Sequence, residues 1–324
     1  MKIMLIGGGG YVGTQLASRL VERNYHIHVV DKFMFGNFLP KEISTTKKDV
    51  FEITEEEMSM YDCVIFLAGI SNDPMAEYDP AQNFIANAAA PAYTAYLASR
   101  TGVKRYIYAS SCSVYGFTHD EMSDELYATD VQYPYGVSKL QGERGVLHFI
   151  RQKQTNCTNK NNFSVIALRK GTISGHSERM RFDLIVNTMF KHAVKDGVIN
   201  VTNPAIWRPV LAMRDATTAY IRAIEANESI SGIFNIASEN CTVGYVADCV
   251  KEVVEERLGR VVSININHVS DMRNYKATIE KAGKVLSFFP QYAVKNIVSE
   301  LCDHLDDYGD FSNQNYYNIE VFKR

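Results

Sequence analysis

Lys2-Ile-Met-Leu-Ile6 runs straight into Gly7-Gly8-Gly9-Gly10-Tyr11-Val12-Gly13, an apolar stretch stopped by four consecutive glycines. A short apolar run bounded by glycine reads as a buried strand. Val12, Leu16, Leu20 and Val21 then recur at helical spacing, giving strand, tight turn and helix. Gly7, Gly10 and Gly13 stand at GxxGxxG spacing. Glycines in such a turn let the backbone approach a pyrophosphate, while the helix's free N–H groups and dipole meet its charge. With Tyr11 and Val12, which open the helix, they make a candidate dinucleotide loop.

Downstream, a second strand, His26 to Val30, ends at Asp31, eighteen residues past Gly13. A carboxylate there accepts hydrogen bonds from the adenosine ribose hydroxyls of NAD and repels a 2′-phosphate, which favours NAD over NADP. Lys32 beside it pulls the other way. Lys47-Lys48-Asp49-Val50 precedes an acidic helical stretch, and Asp49 is placed within reach of the adenine amino group, with Val50 next to it. Asp62 to Gly69 is another buried strand, with Leu67, Ala68 and Gly69 at the end that lies against a cofactor. Ser71-Asn72-Asp73-Pro74 is a polar turn suited to the pyrophosphate or the nicotinamide ribose. Pro80 to Arg100 reads as one long Ala-rich helix carrying Asn87. Lys104 to Ala109 is a strand running into Ser110-Ser111-Cys112-Ser113-Val114-Tyr115-Gly116, where open α/β sheets put ligands. Strands alternating with helices at this spacing predict an α/β fold, a Rossmann-type doubly wound parallel sheet.

Tyr133-Pro134-Tyr135-Gly136-Val137-Ser138-Lys139 opens the next helix. Tyr135 and Lys139, four apart, project from one face. An ammonium that close favours the phenolate, so a phenol normally titrating near ~10 becomes a base near neutrality.

The 324 residues suggest two domains: a dinucleotide domain over 1–170, with a returning strand near 232–238, and a smaller C-terminal α/β domain over 171–324 that mainly binds substrate. Residues 151–162 are polar without periodicity and read as a loop. Arg179, Arg181, Arg208 and Arg273 fall in three segments that would suit a diphosphate if they met in one cleft. A net charge of −3 gives no general attraction to nucleic acid or anionic membrane. No apolar run is long enough to span a bilayer. The six cysteines (63, 112, 157, 241, 249, 302) show no CxxC pair or metal-ligand spacing, which implies no metal and fits reduced thiols in a cytoplasm. The polar, aromatic segment from Asp306 has no physical account at this level.

In this order, the glycine turn, Asp31, Ser111 and the Tyr135/Lys139 pair resemble the short-chain dehydrogenase/reductase superfamily. The Val114-Tyr115-Gly116 ending and the Arg-rich second half look like its extended branch of nucleoside-diphosphate-sugar epimerases, dehydratases and reductases. The resemblance implies that Tyr135 is the general base, that Lys139 grips the nicotinamide ribose and that Ser111 orients the sugar hydroxyl. Asn87 matches the family's helix asparagine. Ser71, Cys112, Ser113, Thr172, Arg179 and Asn187 are then assigned to the nucleotide-sugar cleft, with Arg208 and Arg273 matching the diphosphate arginines. Ser111-Cys112-Ser113 stands where 4,6-dehydratases carry Thr-Asp-Glu, so dehydration lacks its acid and base. Ala212 replaces a usual histidine and Thr172 a usual asparagine. Cys112 is one position from the cysteine of GDP-sugar epimerases and reads as a packed thiol. The implied activity is NAD-dependent oxidation at C4 of a hexose or heptose in a nucleoside-diphosphate sugar, as a 4-epimerase or 4-dehydrogenase through a 4-keto intermediate. A 4-keto-sugar-nucleotide reductase using NAD(P)H is the alternative, and a non-catalytic dinucleotide sensor the next. A homodimer pairing helices 80–100 and 135–150 and a role in polysaccharide synthesis come with the family.

Overall fold

The computed structural model describes residues 1–155, 163–268 and 274–324. Its centre is one sheet of seven strands, all parallel: β1 (Lys2–Ile6), β2 (His26–Asp31), β3 (Ser44–Lys47), β4 (Cys63–Phe66), β5 (Arg105–Ser111), β6 (Ser164–Lys170) and β7 (Gly232–Ile236). Their order is β3-β2-β1-β4-β5-β6-β7, so the chain reverses direction between β1 and β4, where doubly wound folds open their cleft. Because both faces are covered, the inner strands are largely buried and apolar in their middles. Ile3 and Leu5 join one core with Leu16, Leu20 and Tyr220, while Met4 and Ile6 join the other with Tyr106, Tyr108 and Val146. The returning strand expected near 232–238 is β7, on the far edge. Edge strand β3, Ser-Thr-Thr-Lys, carries no apolar alternation and was not foreseen.

The helix expected over Pro80 to Arg100 exists, but it is interrupted. Pro80–Phe84 and Ala90–Arg100 are α-helical, and Ile85–Ala89 between them is a π turn. The cause is Pro91, which has no N–H to offer the carbonyl four residues back. That carbonyl, of Asn87, accepts instead from the Tyr108 hydroxyl at 3.0 Å. The next helix, Pro134–Thr155, extends past the expected end at Ile150 into residues read as loop. It packs so closely that a Cβ on Gly142 would lie 2.1 Å from the same Asn87 carbonyl oxygen.

In the second half, Thr172–Ser174, Trp207–Ala212 and Glu239–Thr242 form a small mixed sheet, flanked by helices Ile185–Asp196, Val243–Leu258 and Val294–Asp303. The chain after Asp306 folds as well: Tyr308, Phe311 and Tyr316 set their rings edge-on to Phe182.

Candidate functional site

The dinucleotide loop is shaped by close backbone approach. Gly7 has φ +80°, and a Cβ there would stand 2.3 Å from the Ala68 nitrogen. Leu67 and Ala68 both donate their amides to the Ile6 carbonyl, at 2.8 and 3.0 Å, which brings the end of β4 onto the loop. Asp31, at the end of β2, accepts from the Gly9 amide at 2.9 Å and the Phe33 amide at 2.7 Å. Burial pushes its carboxyl up, against these two bonds. Lys32 and Asp49 pair with each other at 2.5 Å, and Asp49 also caps the 3-10 turn that starts at Val50. The Asp49 carboxylate thus already has partners.

Asn87 is fully buried. Its Oδ1 accepts from the Ile70 amide at 3.1 Å, and its Nδ2 donates to the Ile70 carbonyl at 2.8 Å and to Asn83 Oδ1 at 2.9 Å. The π turn therefore aims Asn87 at the loop after β4, where it fixes Gly69 and Ile70; a Cβ on Gly69 would meet Asn87 Oδ1 at 2.3 Å.

The helix Pro134–Thr155 carries Tyr135 and Lys139 to the carboxyl end of β5. Lys139 is buried, and its Nζ donates to the Ala109 carbonyl at 3.0 Å and lies over the Tyr108 ring. Burial, with Lys170 nearby, pushes the ammonium down to about 7. The Tyr135 phenol lies close to the Ser111 hydroxyl. Burial pushes it up to about 12, outweighing the opposite pulls of Ser111 and Arg181. The expectation is that Lys139 and an oxidised nicotinamide ring together hold this phenol down; without the ring, burial holds it up. The two side chains share a helix face as expected, but desolvation acts on both, favouring neutral phenol and neutral amine.

Ser113 donates its hydroxyl to Ser111 Oγ at 2.9 Å, so these two serines form one polar patch. Cys112 points elsewhere: its thiol is buried, donates to the Arg169 carbonyl at 3.2 Å, and is pushed up to about 12 by burial. It is a packed thiol, as read, and not a lining residue of the cleft. Asn187 is fully buried with all its capacity used inside the protein. It accepts from the Gly175 amide at 3.0 Å and donates to the Tyr11 hydroxyl at 3.0 Å and the Arg181 carbonyl at 2.8 Å. Tyr11 in turn donates to the Gly175 carbonyl at 2.6 Å, which ties the dinucleotide loop to the second half. Thr172 lies half-buried at the start of its strand, pairing with Val210. Arg208 lies over the Tyr275 ring; Arg273 is outside the described residues. Ser71 accepts from Asn318 Nδ2 at 2.7 Å.

Three features escaped sequence reasoning. Arg169 and Glu143, both buried, pair at 2.6 Å beneath the site, with Ser110 donating to Glu143 and Arg169 to the Tyr115 hydroxyl. Lys170, at the end of β6 in register with Ser111, is pushed down to about 8 by burial. Finally, His176, His304 and Asp307 gather three donor atoms within 4.8 Å. The two imidazoles stack at 3.6 Å with planes 7° apart; rings so stacked cannot both direct an in-plane lone pair at one ion.

The cradle fits NAD: a loop that side chains would fill, a carboxylate at the ribose end, and a buried lysine one turn from Tyr135. The chain also matches the model of the NAD dependent epimerase/dehydratase family over residues 3–237. It belongs to that family. Like the rest of the family it is an enzyme, with NAD as its cofactor. The UDP-glucose 4-epimerase of Corynebacterium glutamicum is 25% identical over 327 residues, covering 96% of this chain and 98% of that protein. UDP-glucuronic acid decarboxylase 3 of Arabidopsis thaliana is 25% identical over 305 residues, covering 91% of this chain and 86% of that one. The UDP-glucuronic acid 4-epimerase of Bacillus cereus, solved with UDP-glucuronic acid and NAD, shares the fold with a TM-score of 0.82. It is 20% identical, over 95% of this chain and all of the other.

Proposed function

We propose that the protein is an NAD-dependent 4-epimerase of a UDP-sugar, working through a 4-ketose. The observation that carries this is the helix Pro134–Thr155, which brings Tyr135 and, one turn on, Lys139 to the carboxyl end of β5, where Lys139 Nζ donates to the Ala109 carbonyl at 3.0 Å and Tyr135 comes close to Ser111. The loop at Gly7–Gly13 and Asp31 would hold the adenosine and pyrophosphate, and Lys139 the nicotinamide ribose. When bound, NAD+ supplies a hydride acceptor and a positively charged ring. Tyr135 takes the O4 proton of the sugar as the C4 hydrogen leaves with its electron pair, and returns it when hydride is delivered to the other face of C4. Ser111, close to the phenol, orients that hydroxyl. Arg181 stabilises the phenolate; its charge pulls the phenol down. A positive ring nearby adds to that pull and offsets the desolvation that holds Tyr135 near 12 in the ligand-free protein.

UDP is favoured because the relatives above are named for UDP-sugars. Purified protein incubated with UDP-glucose and UDP-glucuronic acid, with products followed by NMR, tests the proposal. A C4 epimer formed without added oxidant supports it. Stoichiometric NADH with a stable ketose indicates a 4-dehydrogenase instead, NADH consumption by a supplied ketose a reductase, and loss of the sugar carboxylate as CO2 a decarboxylase. The proposal extends to a cytoplasmic homodimer acting in polysaccharide synthesis. Exposed Phe84, Ile85 and Tyr96 on the helix pair expected at the interface support the dimer, and light scattering checks it. Among the described residues no helix is long and apolar enough to cross a membrane.

A further inference from the structure

Asn318, in the segment that sequence left unexplained, joins the two halves of the molecule. Its Nδ2 donates to the Ser71 hydroxyl at 2.7 Å, in the turn after β4. Its Oδ1 accepts from the Arg179 guanidinium at 2.5 Å. The segment is anchored behind this residue by the ring cluster on Phe182.

Arg179 is 2% exposed, and its guanidinium carbon lies 3.5 Å from the centre of the Phe35 ring. Its Nε is buried with no hydrogen-bond partner. The neighbouring carboxylate, Asp183, is held by Arg181 at 2.8 and 2.9 Å, and Arg179 makes no ion pair among the described residues. A buried guanidinium without a counter-charge is strongly unfavourable, and burial pushes this one down to about 9. A site that keeps such a group is built for an anion. Its neighbours say which one. The charges it feels include those of Tyr11 and Asp31, the dinucleotide loop and the ribose-end carboxylate. Arg181 reaches both sides: its guanidinium lies 6.0 Å from the centre of the Tyr11 ring, and its charge also acts on Tyr135.

We propose that Arg179 binds the pyrophosphate of the dinucleotide, and that Asn318 positions it, so that the C-terminal segment clasps the cofactor in place. Arg179 then belongs to the cofactor and not to the sugar nucleotide, where the sequence had put it. The inference rests on the NAD-dependent reading above and deepens it. An epimerase must return hydride to the sugar it came from, so its cofactor has to stay bound between the two transfers. A clasp supplied by the far end of the chain provides that retention.

The test compares wild type with Arg179→Met, Arg179→Lys and Asn318→Ala. It measures NAD affinity, the rate at which bound NAD exchanges with labelled NAD, and the thermal stability of the ligand-free proteins. R179M is expected to bind NAD about 10- to 100-fold more weakly, with R179K in between, and N318A to exchange it severalfold faster. Ligand-free R179M should be at least as stable as wild type, because an uncompensated buried charge has gone. NAD affinity within twofold of wild type in R179M, with a raised KM for the UDP-sugar, would overturn the assignment. So would NAD loss that merely follows a loss of ligand-free stability in every variant. Wild type that binds NAD yet turns over no nucleotide sugar removes the epimerase reading alone; unchanged exchange in R179M and N318A removes the clasp alone.

Discussion

The first turn of the helix Pro134–Thr155 and the junction around Asn187 are both buried and polar, but they treat polar groups in opposite ways. At the junction, the Asn187 amide has protein partners at both ends, and the Tyr11 hydroxyl both donates and accepts. At the helix turn, Lys139 Nζ has a single carbonyl acceptor among the described residues, and the Tyr135 phenol is held only by the pull of nearby Ser111 and Arg181. The first arrangement fixes two halves of a protein. The second leaves capacity for a ligand and leaves both groups displaced from their ordinary proton affinity, a condition common to reacting groups. Exchanging a residue at either place should therefore fail in different ways.

Tyr135→Phe should show the largest effect: kcat lower by about a thousandfold, with NAD still bound and stability little changed. A loss under tenfold would remove the phenol from proton transfer. Asn187→Ala should act on stability first. It strands the Gly175 amide and the Arg181 carbonyl, costing about 3 kcal/mol in urea unfolding, with a smaller loss of kcat than in Y135F. If unfolding is unchanged and only turnover suffers, the amide is a ligand contact after all.

Lys139→Met is to be read as a slope and not as a single value. Folded Lys139 carries its proton only below about 7, against 10.5 for the ordinary side chain. Between those values the unfolded chain binds more protons, so this lysine makes stability rise with pH, by up to about 1.4 kcal/mol per unit. The variant should thus be more stable than wild type at pH 7 and below, and the gap should close toward pH 10.5. Unfolding measured across that range checks the sign; a gap that ignores pH would mean the ammonium is not desolvated.

The same contrast explains what could be read in advance. The glycine turn and the strand ending at Asp31 declare themselves by local spacing, and the structure has them there. Tyr135 and Lys139 were legible as a pair for the same reason, being one turn apart. The sign of the phenol's shift was not, because it depends on how much chain folds over it. Asn187 is assigned to the cleft by resemblance alone, and its partner Tyr11, 176 residues away, leaves no mark in the local sequence. Arg169 and Glu143, 26 apart on different elements, leave no trace in either sequence period. Strand β3 was missed because a polar edge strand has no hydrophobic face to announce it.

Pro91 touches neither cofactor loop nor catalytic helix through any polar atom, yet the reactive edge inherits a constraint from it. The carbonyl it leaves without a helical donor is claimed by the Tyr108 phenol, and that same hydroxyl lies 3.3 Å from the Lys139 carbonyl, under the lysine's own ammonium. A missing hydrogen on an imino acid is in this way converted into a fixed seat for an amine some forty-eight positions later in the chain.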